Sequence, residues 1–322
     1  MRQTEQQQGC GSPRVNLYDE VTDRIVKQLE QGCVPWVQPW QASGGAFALP
    51  VNAATSRYYT GINILILWDA ASARGFGANR WLTFRQALSL GGNVRKGERG
   101  TTACYADSFI PRGGEAEKKS RGSSDFRPNE RAEKEEPQRI PFLKRFTLFN
   151  VSQCENLPAE LLEQPRPVSE SEIHADAEAL IAATKADIRI GGGEAFYHRI
   201  DDYICVPPQT SFFDVINFYR TCCHELSHWT GSKSRLARDL ENRFGSSGYA
   251  REELVAELSC AFLCAHLNIV PTVRHADYIG NWLTVLRDDS RAIFNAASLA
   301  SKAADFILAF RAPKASEAEL AA

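Results

Sequence analysis

The residues whose types and spacing carry the clearest chemistry are His224, Glu225 and His228, in the run HELSH at 224–228. On an α-helix, residues four apart share a face, so both imidazoles project side by side and can hold one cation. Glu225 lies next to His224 and can take a proton from an attacking water without being a ligand itself. That is the mechanical content of HExxH: two histidines on a zinc ion and a glutamate as general base. A catalytic zinc also needs a third protein ligand and an open position. The histidines at 174, 198, 266 and 275 show no matching spacing, whereas the run YAREELVAELSCAFL carries Glu252, Glu253 and Glu257. Leu254, Leu258, Ala261 and Ala265 mark its buried stripe, with Glu253 and Glu257 flanking it one turn apart. One of these carboxylates can bind the metal while the other accepts the second N–H of a ligating histidine and fixes its tautomer. Glu252 is expected to point away into solvent.

This arrangement resembles the gluzincin metallopeptidases, in which a second helix bearing Glu-x-x-x-Asp follows HExxH. The resemblance implies Glu253 as third ligand. Glu257, a glutamate where that pattern has aspartate, is then the histidine's support or the alternative ligand. It also implies one Zn2+ per chain, with another divalent cation able to replace it. Charge on a tetrahedral intermediate needs a further donor, for which Tyr249 and His198 are the nearest candidates. The strand near Asp202 to Val206 offers an edge for substrate backbone.

Several elements must position these groups. Ser211 with Asp214 reads as a capping-box-like start for a helix over 212–230, closed by Gly231. Further helices are expected at about 170–186 and 249–268, with two more between 275 and 311, and strands over 188–207. In the first half, residues 15–31 show helical spacing. Gly61-Ile62-Asn63 leads into an apolar helix, and Thr83 can cap another ending near Gly91-Gly92. VRKGERGTTACYADSFI reads as a short hairpin. Residues 111–139 hold 8 basic and 7 acidic residues and almost no apolar ones, so they read as a mobile loop inserted between strands. The Pro-rich stretch from Pro158 to Ser169 is the best boundary between domains.

The formal net charge of −2 hides an asymmetry: Arg14 to Asn156 hold 20 Lys+Arg against 15 Asp+Glu, and Leu157 onwards 16 against 23. The basic half also carries the ingredients for binding single strands, cations for phosphates and rings for bases. Trp36 and Trp40, each after a proline in VPWVQPWQ, are the expected stacking platforms, with Tyr59 alongside. Arg57, Arg80, Arg85, Arg95 and Lys96 are the expected phosphate contacts. The nine cysteines include no CxxC pair and mostly sit in apolar segments, which reads as small buried side chains in a reducing compartment. No apolar run approaches the roughly 18 residues that span a bilayer, and the N-terminus is polar, so a cytoplasmic protein without membrane contact is expected.

PWVQPW, NAATSRYYTGINILILW, RWLTFRQALSLGGNVRKGERGT, HELSHWTGSKSRL and YAREELVAEL, in that order, resemble the ArdC-type antirestriction proteins over about residues 14–310. The resemblance implies an α+β chain of two domains. The first, at 14–157, binds single-stranded DNA; the second, at 170–311, is a zincin-like metallopeptidase with HExxH on its active-site helix. It implies protection of incoming plasmid DNA from host restriction during conjugation, with a host protein as a possible peptidase substrate. The alternative is a single-stranded-DNA-binding protein whose zinc domain is structural or regulatory.

Overall fold

The computed structural model describes residues 16–37, 48–109, 140–163, 168–240, 242–243, 245–272 and 278–311. Helix α1 (Leu17–Glu30) starts on Asn16, whose side chain accepts from the Tyr18 amide. After β1 (Val51–Asn52), Gly61 at φ 60° turns the chain into α2 (Ile62–Arg74), in a backbone region that only glycine adopts cheaply. β2 (Arg80–Leu82) leads into α3 (Phe84–Ser89), which starts on the expected Thr83 cap as a full capping box with Gln86. β3 (Asn93–Val94), β4 (Thr101–Phe109), β5 (Ile140–Asn150) and β6 (Cys154–Glu155) complete the first half.

The expected hairpin does not form. β3 pairs with β6, while β4 pairs with β5 in the sheet ordered β1-β2-β5-β4. β4 and β5 remain paired out to Phe109 and Ile140, so the charged run 111–139 joins two paired strands; it lies outside the described residues.

The second half opens with α4 (Glu170–Ala183), whose Ser169 and Glu172 form a capping box. A three-stranded sheet follows, ordered β7-β9-β8: β7 (Asp187–Ile190), β8 (Phe196–His198) and β9 (Tyr203–Val206). β9 is therefore the central strand and cannot offer the edge expected of it; β8 and β7 are the edges. Helix α5 (Val215–Trp229) begins on Asp214, which accepts from the Ile216 amide, and Ser211 sits in a separate 3-10 turn. α6 (Ser247–His266), α7 (Ile279–Asp288) and α8 (Ala292–Leu308) close the chain.

α2 is buried on nearly every side, as a helix apolar all round must be. Its Asn63 side chain bonds the backbone of Cys104 on β4, while Trp68 meets Phe262 of α6 edge-on at 5.8 Å. Tyr18 packs on Phe294, the Thr22 hydroxyl donates to the Ser290 carbonyl, and the Gly61 amide donates to the Ser301 hydroxyl. One hydrophobic cluster thus runs through both halves. The chain changes character near Pro158, but the core does not divide there.

Trp36 belongs to this shared core. It is 1% exposed and meets Trp282 of α7 at 5.7 Å between ring centroids. Its expected role as a platform for bases is not open to a ring so covered. Trp40 lies outside the described residues.

Candidate metal centre

α5 presents its motif inward because Phe218, Cys222, Leu226 and Trp229 bury the same helix against α6 and the sheet. α6 crosses it with Glu253 and Glu257 buried among Leu254, Leu258 and Ala261. His224 and His228 bring their Nε2 atoms to 3.2 Å of each other, and each Nε2 lies 3.6 Å from a Glu253 oxygen. Ligand bonds of about 2.0–2.1 Å in a tetrahedron set donor atoms about 3.3 Å apart, so this triangle fits one such cation. His224, His228 and Glu253 are also the one group of its kind that meets metal-ligand spacing among the described residues.

The other ring nitrogens face carboxylates. His224 Nδ1 is 3.7 Å from Glu257 Oε1, and His228 Nδ1 is 3.2 Å from Glu252 Oε1. Glu257 therefore stands behind His224, on the side away from the triangle. Glu252, expected in solvent, is instead 11% exposed at its side chain and tied to both His228 and Arg238. Arg238, in the segment after α5, reaches over the second turn of α6 and covers that face.

Electrostatics follow the geometry. Burial alone would lower the His228 pKa, but its bond to Glu252 and the charges of Glu253, Glu252 and Glu225 raise it to about 9. Burial pushes Glu253 the other way, yet bonding to His224, the charges of both histidines and a hydrogen bond from Tyr249 hold it down at about 2. Burial raises the Tyr249 phenol, and so do its bond to Tyr278 and the neighbouring Glu253. Tyr249 and Tyr278 place their hydroxyls 3.1 Å apart.

A cavity of about 650 Å³ opens on this group, lined by Glu225, Tyr249 and Tyr278, by Phe196 of β8 and Arg199 just after it, and by Leu240. Glu225 is only 4% exposed yet borders the cavity. Tyr249 thus sits where the sequence suggested. His198 does not: its ring stacks on Tyr203, and Nδ1 accepts from the Asp201 amide. Sequence reasoning missed Arg238, Tyr278 and the role of Glu252.

The expected DNA contacts sit apart from this cavity. Arg57, Arg85 and Lys96 are exposed. Arg80 donates to the Glu160 carbonyl and Arg95 to Glu98 and the Ser152 carbonyl. Tyr59 is half-buried with its hydroxyl accepting from Asn52, whereas its neighbour Tyr58 is 55% exposed. Arg80 and Tyr58 border a second cavity of about 320 Å³.

Two paired helices that bring HExxH against a buried glutamate, beside a small sheet, define a zincin-like domain. Residues 175–299 match the family model for a zincin-like metallopeptidase, and residues 15–149 match that for the N-terminal domain of anti-restriction factor ArdC. The antirestriction protein ArdC of plasmid R388, in a metal-free crystal structure, superposes with a TM-score of 0.72 at 36% identity, covering 92% of this chain and 97% of that one. Its Mn(II)-bound structure gives 0.70 at 37% identity, covering 92% and 98%. The protein y4eC of Sinorhizobium fredii is 39% identical over 91% of both chains. DNA primase TraC of Escherichia coli is 37% identical over 91% of this chain, which spans only 27% of TraC. The chain belongs to the ArdC antirestriction protein family.

Proposed function

We propose that this protein is a zinc-dependent peptidase joined to a single-stranded-DNA-binding region, and that it protects incoming plasmid DNA from restriction in the cytoplasm of a recipient cell. The observation that carries the enzymatic part is Glu225, a buried carboxylate facing an open cleft beside the His224–His228–Glu253 triangle. A purely structural metal site has no use for a general base there. Glu257 sits behind His224 rather than within the triangle, which leaves a position open to solvent and argues against a closed four-ligand site. The Mn(II)-bound form of the R388 relative supports a divalent cation for this chain too.

When bound, the cation supplies Lewis-acid polarisation of a carbonyl and makes water more acidic. Glu225 takes the proton of the attacking water and returns it to the departing amine. The free edge of β8, which pairs only with β9 among the described residues, aligns an extended substrate by backbone bonds. Tyr278 and Tyr249 border the space where charge develops; the Tyr249 proton is committed to Glu253, so the Tyr278 hydroxyl is the one that donates there. A host protein is the proposed peptide substrate.

For DNA, exposed Arg57, Arg85 and Lys96 with the open face of Tyr58 support contacts to phosphates and bases. Conjugation into a restricting host, comparing wild type with Glu225→Ala that still binds metal, tests whether proteolysis serves protection. Equal protection assigns it to the DNA-binding region. Removing Arg57 or Arg85 should reduce the salt slope of single-strand binding by about 0.7 per cation. An unchanged slope excludes that residue from the DNA interface.

A further inference from the structure

We propose that Arg238 and Glu252 act as a positioning pair for His228, a device separate from the HExxH motif and from Glu257. The inference rests on the metal-centre reading above. Arg238 is contributed by the segment between α5 and α6, yet its side chain is only 4% exposed. Its guanidinium is almost fully engaged. Nε donates to Glu252 Oε2 at 3.0 Å and Nη2 to Glu252 Oε1 at 2.8 Å, a two-point grip on one carboxylate. Nη2 also donates to the Ser227 carbonyl at 2.6 Å, and Nη1 to the Thr230 hydroxyl at 2.7 Å. One side chain thus fastens the last turn of the histidine helix to the second turn of the helix that carries Glu253.

Gly231 leaves room for this approach. A Cβ there would lie 2.9 Å from Leu240, 3.0 Å from Arg238 Nη2 and 3.0 Å from the His228 carbonyl. Glu252 in turn takes His228 Nδ1 at 3.2 Å. A carboxylate in that place requires Nδ1 to carry a proton, so Nε2, beside Glu253 and His224, is the ring nitrogen left for a cation. Without Arg238 the Glu252 carboxylate would lose the two-point grip that holds it against His228 Nδ1 and would be free to turn away from the ring. His228 would then lose its fixed tautomer. Arg238 therefore acts through Glu252, and the two should behave as one unit.

The test uses the full-length protein with Zn2+ affinity measured by chelator competition, and Co2+ as a visible-spectrum probe of ligand geometry. Glu252→Gln keeps size and should weaken Zn2+ binding by about 10–100-fold, with an altered Co2+ spectrum. Arg238→Gln should lose a similar factor. Arg238→Lys, which keeps charge but not the two-point grip, should fall between it and wild type. In the double variant the losses should not multiply, because the arginine works through the glutamate. A histidine Nδ1–H signal present in wild type and lost in Glu252→Gln would report the tautomer directly. Folded Glu252→Gln that holds Zn2+ within twofold of wild type, with an unchanged Co2+ spectrum, overturns the pair and leaves the metal centre standing. Wild type without stoichiometric metal overturns the metal-centre reading itself.

Discussion

Replacing Trp36 with alanine separates a ring that holds the two halves together from a ring that stacks on DNA. The indole is 1% exposed and lies edge-on to Trp282, which stacks at 25° on Tyr278 of the metal cleft. Deleting a buried tryptophan costs about 3–5 kcal/mol through lost transfer energy and the cavity left behind. The edge-to-face pair with Trp282 contributes about 0.5–1.5 kcal/mol of this beyond area alone. Against a total stability of about 5–15 kcal/mol, Trp36→Ala should lower the urea midpoint strongly. Trp36→Phe keeps an aromatic partner and removes an indole N–H that has no acceptor among the described residues, so it should be much milder. Urea unfolding followed by circular dichroism gives the stability. Fluorescence anisotropy with a labelled single-stranded oligonucleotide, under conditions where the variant is folded, gives the affinity. The folded variant should bind within about twofold of wild type, since loss of one stacked base would cost about 1–3 kcal/mol. Wild-type stability together with affinity reduced tenfold would refute the buried-ring reasoning and restore Trp36 as a platform.

Other outcomes follow from the same geometry. His228→Ala should abolish stoichiometric metal while Glu225→Ala retains it; elemental analysis showing equal metal in wild type and His228→Ala would remove the proposed site. A fragment ending near Pro158 leaves Trp36 without Trp282 and Trp68 without Phe262. It should unfold without a cooperative transition, and a sharp, native-like melt would show that the halves fold independently. His266, facing Tyr58 across the junction of the halves, has its pKa held down to about 4 by burial and by Arg311. The unfolded chain takes up that proton below about pH 6.5, so stability should fall as pH drops from 6.5 towards 4, by up to roughly 3 kcal/mol. His266→Gln should flatten that part of the pH profile, and an unchanged acid limb would rule His266 out as its source.

Local signals in the sequence determined a good deal. The four-residue spacing of His224 and His228 places both rings on one helical face wherever that helix packs, and Glu253 and Glu257 are bound to one another by the same periodicity. The Thr83 cap and the apolar α2 were legible because a cap and a buried helix depend on neighbours a few residues away. Tertiary structure decided the rest. Glu252 looked outward from the stripe of its own helix, but α6 is covered on that face too, by a segment whose path its periodicity does not reveal. VPWVQPWQ reads as an exposed extended run until α7, far along the chain, supplies Trp282 to cover Trp36. β3 and β4 each have the pattern of a strand, yet partner choice is long-range: β3 found β6 and β4 found β5. Periodicity reports which residues of an element share a face. Which element comes to lie on that face is set by the packing of the whole chain.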